Sequence, residues 1–267
     1  MARFHKMHGL GNDFVVIDAR AAPVAMSAAR ACAIADRHTG IGFDQLILLE
    51  PSETADAAMR IWNADGGQAE ACGNAYRAAA VLIGRAVLET RGGMVTIAPD
   101  GAGATAELQP PAFAWQDIPL AYGMDTANIP VGWDTLTDPA AVNVGNPHVV
   151  FFVEDAQAID LALLGPQIER DPLFPERVNV NVAAVQVDGS VALRTWERGA
   201  GLTRACGTGA CATAIAAIRS KRVLSPVDVV MAGGTLRIAW APGESIRMTG
   251  PATHVFSGEI DWDSFPL

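Results

Sequence analysis

The segment MRIWNADGGQAEACGN (59–74) returns as LRTWERGAGLTRACGT (193–208), 134 residues further along the chain. Within positions 60–73 six residues are identical: Arg60/Arg194, Trp62/Trp196, Gly67/Gly201, Ala71/Ala205, Cys72/Cys206 and Gly73/Gly207. Ordinary composition gives about one identity over such a stretch. The same shift aligns GNDFVV (11–16) with GNPHVV (145–150) without a gap, and sets Gln45 opposite Asn179 and Asn63 opposite Glu197. One offset serving several separated segments is the mark of an internal duplication. The chain is therefore expected to fold as two similar halves, and its 267 residues are close to twice the shift. We expect one half to comprise 1–108 with the C-terminal segment 251–267, and the other 109–250. The Pro-rich stretch around Gln109-Pro110-Pro111 is the expected linker.

Composition removes several function classes. Half of the residues are apolar and 18% are charged, so the chain can bury a core. With 19 basic and 29 acidic residues its net charge is −10, which argues against nucleic acid as a partner because phosphate binding needs a basic face. Lys6 and Lys221 are the two lysines, and neither sits where a Schiff base to pyridoxal phosphate would be expected. No apolar run approaches the ~20 residues that span a membrane, and the N-terminus lacks the apolar core of a signal peptide. We expect a cytoplasmic protein with reduced thiols. Cys32, Cys72, Cys206 and Cys211 form no CxxC pair, so no metal site is expected.

Secondary structure reads alike in the two halves. FVVID (14–18) and HVVFFV (148–153) are β-branched apolar runs that predict strands. A helix follows each. Ser27 caps the first, with Ala28, Ala31, Cys32 and Ala35 on one face, and Asp160 caps the second, with Leu161, Leu164 and Ile168. Strands QLILLE (45–50) and NVAAVQV (181–187) come next, then strands ending at Trp62 and Trp196. After each Cys-Gly pair comes a helix of small residues, AYRAAAVLIG (75–84) and GACATAIAAI (209–218), which suits a helix enclosed by sheet. VTIA (95–98), TLRIAW (235–240), SIRMTG (245–250) and THVFSG (253–258) supply further strands. The mix is neither regular βαβ nor pure hairpin, and predicts an α+β fold with a mixed sheet around a central helix in each half.

The chemistry points to Cys72 and Cys206. Each opens a helix, where the first N–H groups have no intrahelical partner and carry partial positive charge. A thiol there is expected to have a lowered pKa. The backbone N–H groups of Gly73, Asn74, Gly207 and Thr208 suit a carboxylate. A duplicated fold is expected to bring both helix starts to one cleft. Inverting a stereocentre without a cofactor needs a base on one face and an acid on the other, and two matched thiols supply both. A lone cysteine is more often a small buried hydrophobe. The repeated placement tips Cys72 and Cys206 toward chemistry, whereas Cys32 and Cys211 lie within helical apolar patterns and read as packing residues.

The polar residues in the same register divide between bland and functional roles. Asn12 and Asn146 follow glycines at strand starts and read first as turn formers, since Asn tolerates the left-handed region. Gln45 and Asn179 begin apolar strands, where a buried amide needs partners. Asn63 and Glu197 follow the paired tryptophans. Glu197-Arg198 reads equally as a surface pair, and His148 as a satisfied core histidine. Their shared register groups them with the cysteines.

The motifs MHGLGNDF (7–14), GFDQL (42–46), NADG (63–66), ACGN (71–74), GNPH (145–148), FPERVN (174–179), ERGAG (197–201) and ACGTGA (205–210) resemble diaminopimelate epimerase, from Lys6 to Gly258. The resemblance implies cofactor-independent interconversion of LL- and meso-2,6-diaminopimelate in the route to lysine and peptidoglycan. It also implies two domains, each a β-barrel-like sheet around a helix, that close on substrate. Cys72 and Cys206 would be the acid–base pair, and His148 and Glu197 would tune their pKa. Gly73, Asn74, Gly207 and Thr208 would hold the reacting carboxylate, and Glu197 with the Arg198 backbone the reacting amine. Asn63, Asn146, Asn179 and the Arg198 side chain would grip the far end, with Asn12 and Gln45 lining the site. The family is commonly a homodimer, and Phe256 stands where it often has a contact tyrosine. One departure is Ala75, where the family usually has glycine; it is harmless unless its backbone is left-handed. The same architecture serves proline-type racemases and a cysteine-free isomerase group. A non-catalytic amino-acid binder would have no use for two matched thiols.

Overall fold

Parallel strands need a crossover of a dozen or more residues, and each half of the chain makes the same one. In the computed structural model, which describes residues 1–101, 103–265 and 267, the chain divides into two units. One is Met1–Glu107 with Thr249–Leu267, and the other is Leu108–Met248.

In the first unit the strand Asn12–Asp18 leads through α1 (Ala28–Ala35) to the parallel strand Gln45–Glu50, with Phe14 beside Gln45. The chain turns back antiparallel through Ala57–Asn63, with Gln45 opposite Asn63. After a short strand, Gln68–Ala69, comes α2 (Gly73–Ile83), then the hairpin Ala86–Thr90 and Gly93–Asp100. The strand Ala2–Gly9 pairs antiparallel both with Asn12–Asp18 and with the C-terminal strand Thr253–Ile260. Phe4, Val15, Ile34, Phe43, Leu48 and Ile260 belong to its core.

The second unit repeats this order. Pro147–Phe152 leads through α3 (Leu161–Glu169) to the parallel strand Asn179–Val185, with His148 beside Asn179. Val191–Glu197 runs back antiparallel, and Gly201–Thr203 precedes α4 (Gly207–Arg219). Its core includes Phe151, Leu161, Leu164, Ile168, Val180 and Val182.

The repeat extends to the pairing register. Phe14 beside Gln45 becomes His148 beside Asn179, both moved by 134. Past α2 and α4 the offset becomes 141: Ala57 pairs with Leu88 in the first unit, and Val191 with Val229 in the second. The seven added residues lie between the start of α4 and Val227. Register is preserved across the break because it is set by which faces are buried, not by connection length.

The helices after the cysteines are long enough and small enough to be enclosed. Gly207–Ala217 are all buried in α4, and Gly73–Ala80 in α2. α4 packs against strands Ala140–Asn143, Pro147–Phe152, Asn179–Val185, Val191–Glu197, Val227–Met231 and Gly234–Ala239. The α+β expectation, a mixed sheet around a helix in each half, is what the chain forms.

Details differ from expectation in three places. Both helix starts lie two residues earlier than the apolar pattern suggested, at Gly73 and Gly207. Cys32 is exposed on α1, not packed. Arg30 takes the inner face instead, donating to the Phe265 and Ala25 carbonyls at 2.6 and 2.7 Å and lying 5.2 Å over the Trp262 ring. The strands Ala2–Gly9, Ala86–Thr90 and Val227–Met231 did not stand out in the sequence: polar residues interrupt the first, and the other two are runs of only five residues. Among the described residues no helix is long and apolar enough to cross a membrane.

Candidate active site

Each cysteine singled out by the repeat is the N-cap of its helix, in extended conformation: Cys72 of α2 and Cys206 of α4. The first hydrogen bonds of the helices run from Tyr76 N to Cys72 O (3.1 Å) and from Ala210 N to Cys206 O (3.0 Å). This leaves the N–H groups of Gly73 and Asn74, and of Gly207 and Thr208, without helical acceptors at the helix mouths. Ala75 is buried within α2, and its φ lies outside the left-handed region. Its methyl is therefore accommodated where glycine was expected.

In the first unit Cys72 Sγ lies 3.7 Å from Asn12 Oδ1, a long sulfur hydrogen bond, and Asn74 Nδ2 donates weakly to the same oxygen at 3.4 Å. Asn12 in turn donates to Asp44 (3.2 Å). The turn-forming role expected of Asn12 and Asn146 falls to their neighbours: Leu10, Gly11 and Gly145 take φ of 57°, 86° and 104°. Both asparagine side chains are thereby released for other contacts. Gln45 Nε2 donates to Asn63 Oδ1 at 2.9 Å across the strand pair, and Gln45 Oε1 is a buried acceptor without a partner in this structure.

Behind α2 stands a residue that sequence reasoning passed over. Arg77 is fully buried, and donates to Gly73 O (3.1 Å), Asn74 Oδ1 (2.5 Å) and Pro251 O (3.3 Å). It fastens the first turn of the helix that carries Cys72. A charged residue in an Ala-rich helix was the available signal, since a buried guanidinium must be partnered.

In the second unit Glu197 connects the strand end to the thiol. Its Oε1 accepts from Thr203 Oγ1 at 2.5 Å, and the carboxylate also accepts from the Cys206 thiol. Cys206 Sγ further lies 3.5 Å from Thr208 Oγ1 and accepts from Gly209 N at 3.3 Å. The lowered pKa expected at a helix start is not found here. Burial and the facing Glu197 carboxylate push the Cys206 thiol well above its ordinary value, outweighing the stabilisation from Thr208 and Gly209. Burial likewise raises Glu197, against its hydrogen bonds from Thr203 and Cys206.

His148 is fully buried. Its Nε2–H donates to Asn146 Oδ1 (2.9 Å) and its Nδ1 accepts from Asn181 Nδ2 (3.0 Å), which fixes the neutral tautomer. Burial, and then the Arg198 charge, lower its pKa to about 3. Asn179 Oδ1 accepts from Arg198 N at 2.9 Å, and its Nδ2 donates to Pro147 O at 2.8 Å. The Arg198 side chain reaches Glu176 O (3.1 Å). Asn181 and Thr195, bonded to each other at 3.0 Å, complete the buried polar layer under His148. The signal for Asn181 was the N-V-N alternation at the head of Asn179–Val185, which places two amides on one face of a buried strand.

Phe256 lies on Thr253–Ile260, about half exposed, with its ring edge-on to Phe4 at 6.0 Å. Among the described residues no group of three His, Cys, Asp or Glu side chains is placed to hold a metal ion.

The chain's sequence matches the model of the family described as diaminopimelate epimerase over residues 4–107 and 140–255. It is 64% identical over 264 residues to the diaminopimelate epimerase of Sphingopyxis alaskensis, covering 98% of each chain. Identity to that of Rhizorhabdus wittichii is 62%, covering 98% of this chain and 97% of the relative. Among solved structures, a hydroxyproline epimerase from Agrobacterium vitis superposes with a TM-score of 0.68 at 17% identity, covering 99% of this chain and 92% of that one. A Bacillus anthracis phenazine biosynthesis protein gives 0.68 at 14%, covering 97% and 98%. At such identities these two structures speak for the fold alone.

Proposed function

The chain belongs to the diaminopimelate epimerase family, so its reaction is the epimerisation of diaminopimelate in lysine biosynthesis, and we propose that Cys72 and Cys206 carry it out as a two-base pair on the LL and meso isomers. One thiolate removes the Cα proton, and the opposite thiol delivers a proton to the other face. The reverse reaction exchanges the roles, which is why the two groups come from equivalent positions of a duplicated fold.

The observation that carries the assignment is the placement of both cysteines as N-caps of equivalent helices. A carbanion next to a carboxylate spreads negative charge onto the carboxylate oxygens. The N–H groups of Gly73, Asn74, Gly207 and Thr208 have no acceptor within their helices, which supports a role in holding such oxygens, and the helix dipoles add to their effect. The raised pKa of Cys206 and the facing Glu197 support Cys206 as the protonated acid, with the base's part falling to Cys72. Glu197 and the Arg198 backbone carbonyl, both acceptors, receive the reacting amine. Asn63, Asn146, Asn179 and the Arg198 side chain take the distal amino-acid end, and Asn12 and Gln45 line the site. His148, being neutral, acts on the thiol chemistry through the amides it holds.

We further propose a homodimer with Phe256 at the contact, since a large aromatic half-exposed on a strand asks for a partner. We propose a cytoplasmic location, since the sequence has no CxxC pair and the reaction uses cysteines as thiols, which a reducing compartment maintains.

Incubation with LL-diaminopimelate in deuterated water, without added cofactor, tests the reaction. The expected result is stereoinversion with deuterium at Cα; absence of both sinks the reading. Phe256→Glu is expected to convert the dimer to monomer in sedimentation, and an unchanged mass removes Phe256 from the contact.

A further inference from the structure

In the first unit three side chains, none of them assigned above to substrate, converge on one point. His5 lies on Ala2–Gly9, and His254 and Ser257 lie on Thr253–Ile260. His5 Nδ1 is 3.2 Å from His254 Nε2, and Ser257 Oγ is 3.0 Å from each of them. The backbone explains the meeting. His5 pairs directly with Ser257, and a bulge between Lys6 and Met7 shifts the register so that Met7 pairs with His254. The extra residue breaks the two-residue alternation of the strand and brings His254, three positions from Ser257, to the same place.

These three atoms carry at most two protons among them without a clash, so at least one of the three contacts has no proton in it. A neutral imidazole nitrogen is either a donor or an acceptor, and a serine hydroxyl has one proton to give. With one ring nitrogen protonated there are two protons for three contacts. With both bare there is one, and the two lone pairs face each other. With both protonated, two N–H groups collide. When both ring nitrogens are bare, their lone pairs and one of Ser257 Oγ converge on a single point, an arrangement that suits a cation.

The dimensions fit a metal ion. Imidazole nitrogens bind zinc at about 2.0–2.1 Å, so two of them 3.2 Å apart subtend an angle of roughly 100° at the ion, close to tetrahedral. Imidazole is a preferred ligand of zinc, copper and nickel, and two imidazoles with one hydroxyl leave outer positions for water. We propose that His5 Nδ1, His254 Nε2 and Ser257 Oγ form a surface site for a divalent transition-metal ion of the zinc or nickel class, distinct from the cysteine chemistry.

The surroundings permit it. Burial, then the neighbouring His254 and Arg3, lower the His5 pKa, against the opposing effect of Asp18. Asp18 is itself held by Arg20 at 2.9 and 2.7 Å. Arg3 opposes the ion and Asp18 offsets it. His254 is exposed, so the site is open to solvent.

The test must not confuse this site with the thiols, which also bind zinc. Full-length protein labelled with nitrogen-15 is titrated with zinc chloride, and the imidazole nitrogens of the five histidines are followed by NMR. The proposal expects His5 Nδ1 and His254 Nε2 to move together with one equivalent, while His8, His38 and His148 stay in place. In His254→Ala the His5 shift should require at least tenfold more zinc. Unmoved His5 and His254 resonances in the wild-type protein overturn the proposal, and so does a His5 response at the same zinc concentration in the variant. The wild-type titration decides even if the variant fails to fold.

Discussion

The carboxylate of Glu197 accepts the thiol proton of Cys206, and the two sit at opposite ends of the short loop and strand 198–205. Burial and then the charge of Glu197 hold the Cys206 thiol above its ordinary value, and the hydrogen bond ties the two groups together. Glu197→Gln removes that charge. The pH midpoint for alkylation of Cys206, followed on its own peptide by mass spectrometry, is expected to fall, with turnover reduced about 10²-fold or more. An unmoved midpoint would break the link between the two groups.

Removing either thiol removes half of a two-base reaction. Cys72→Ala and Cys206→Ala are each expected to lose turnover by at least ~10³-fold with the fold intact by circular dichroism. Cys211→Ala, on the same helix as Cys206 but buried away from its mouth, should keep turnover while losing some stability. Near-wild-type rates in either single variant of the pair remove the mechanism.

His148 makes stability depend on pH in a definite direction. Its pKa is about 3 in the folded chain and near 6.5 when unfolded, so between those values the unfolded chain binds the additional proton. Stability from this residue is fully present above pH 6.5 and declines as pH falls toward 3. From pH 6.5 to 4.5 the loss should approach about 2 kcal/mol at roughly 1.4 kcal/mol per pH unit. Urea midpoints at several pH values check this, and His148→Gln should flatten the slope in that window.

Gly165 lies inside α3 against Trp196, and a methyl placed there would come within 2.5 Å of the Trp196 ring. Alanine is normally favoured in a helix by about 1 kcal/mol over glycine. Here overpacking costs about 1–3 kcal/mol and wins. Gly165→Ala should lower the urea midpoint. It should also disturb the hydrogen bond from Trp196 Nε1 to Glu169 (2.7 Å), visible as a shift in tryptophan fluorescence.

The duplication was the most legible property of the sequence. It placed Cys72 and Cys206 at helix starts and put Gln45 in register with Asn179, each of which heads the second parallel strand of its unit, because register follows the burial pattern. The polar layer behind the cysteines was harder to read. Asn181 and Thr195 act through partners far away in the sequence, and Arg77 joins its own helix turn to the distant Pro251 carbonyl; a periodicity argument sees only local neighbours. The pKa of Cys206 was misjudged for a related reason. The helix start was visible, but burial and the position of Glu197 across the loop, which outweigh it, come from tertiary packing. Cys32 was misplaced because an eight-residue helix offers little periodicity, and Arg30 claimed the inner face through contacts with the C-terminal segment.

Ala2 pairs with Ile260, so the two ends of the chain are neighbouring strands of one unit. The ribosome therefore releases the first unit's N-terminal part long before the strand that completes it. At ~5–20 residues per second, the stretch 108–248 occupies on the order of ten seconds of synthesis, during which Ala2–Gly9 lacks one of its two partners. Leu108–Met248 is contiguous and can close in that interval, so the half that is translated first is the half that finishes last. The same adjacency makes the termini natural points to join: a short linker from residue 267 to residue 1, with new ends opened in an exposed turn, would turn the late-arriving strand into an early one.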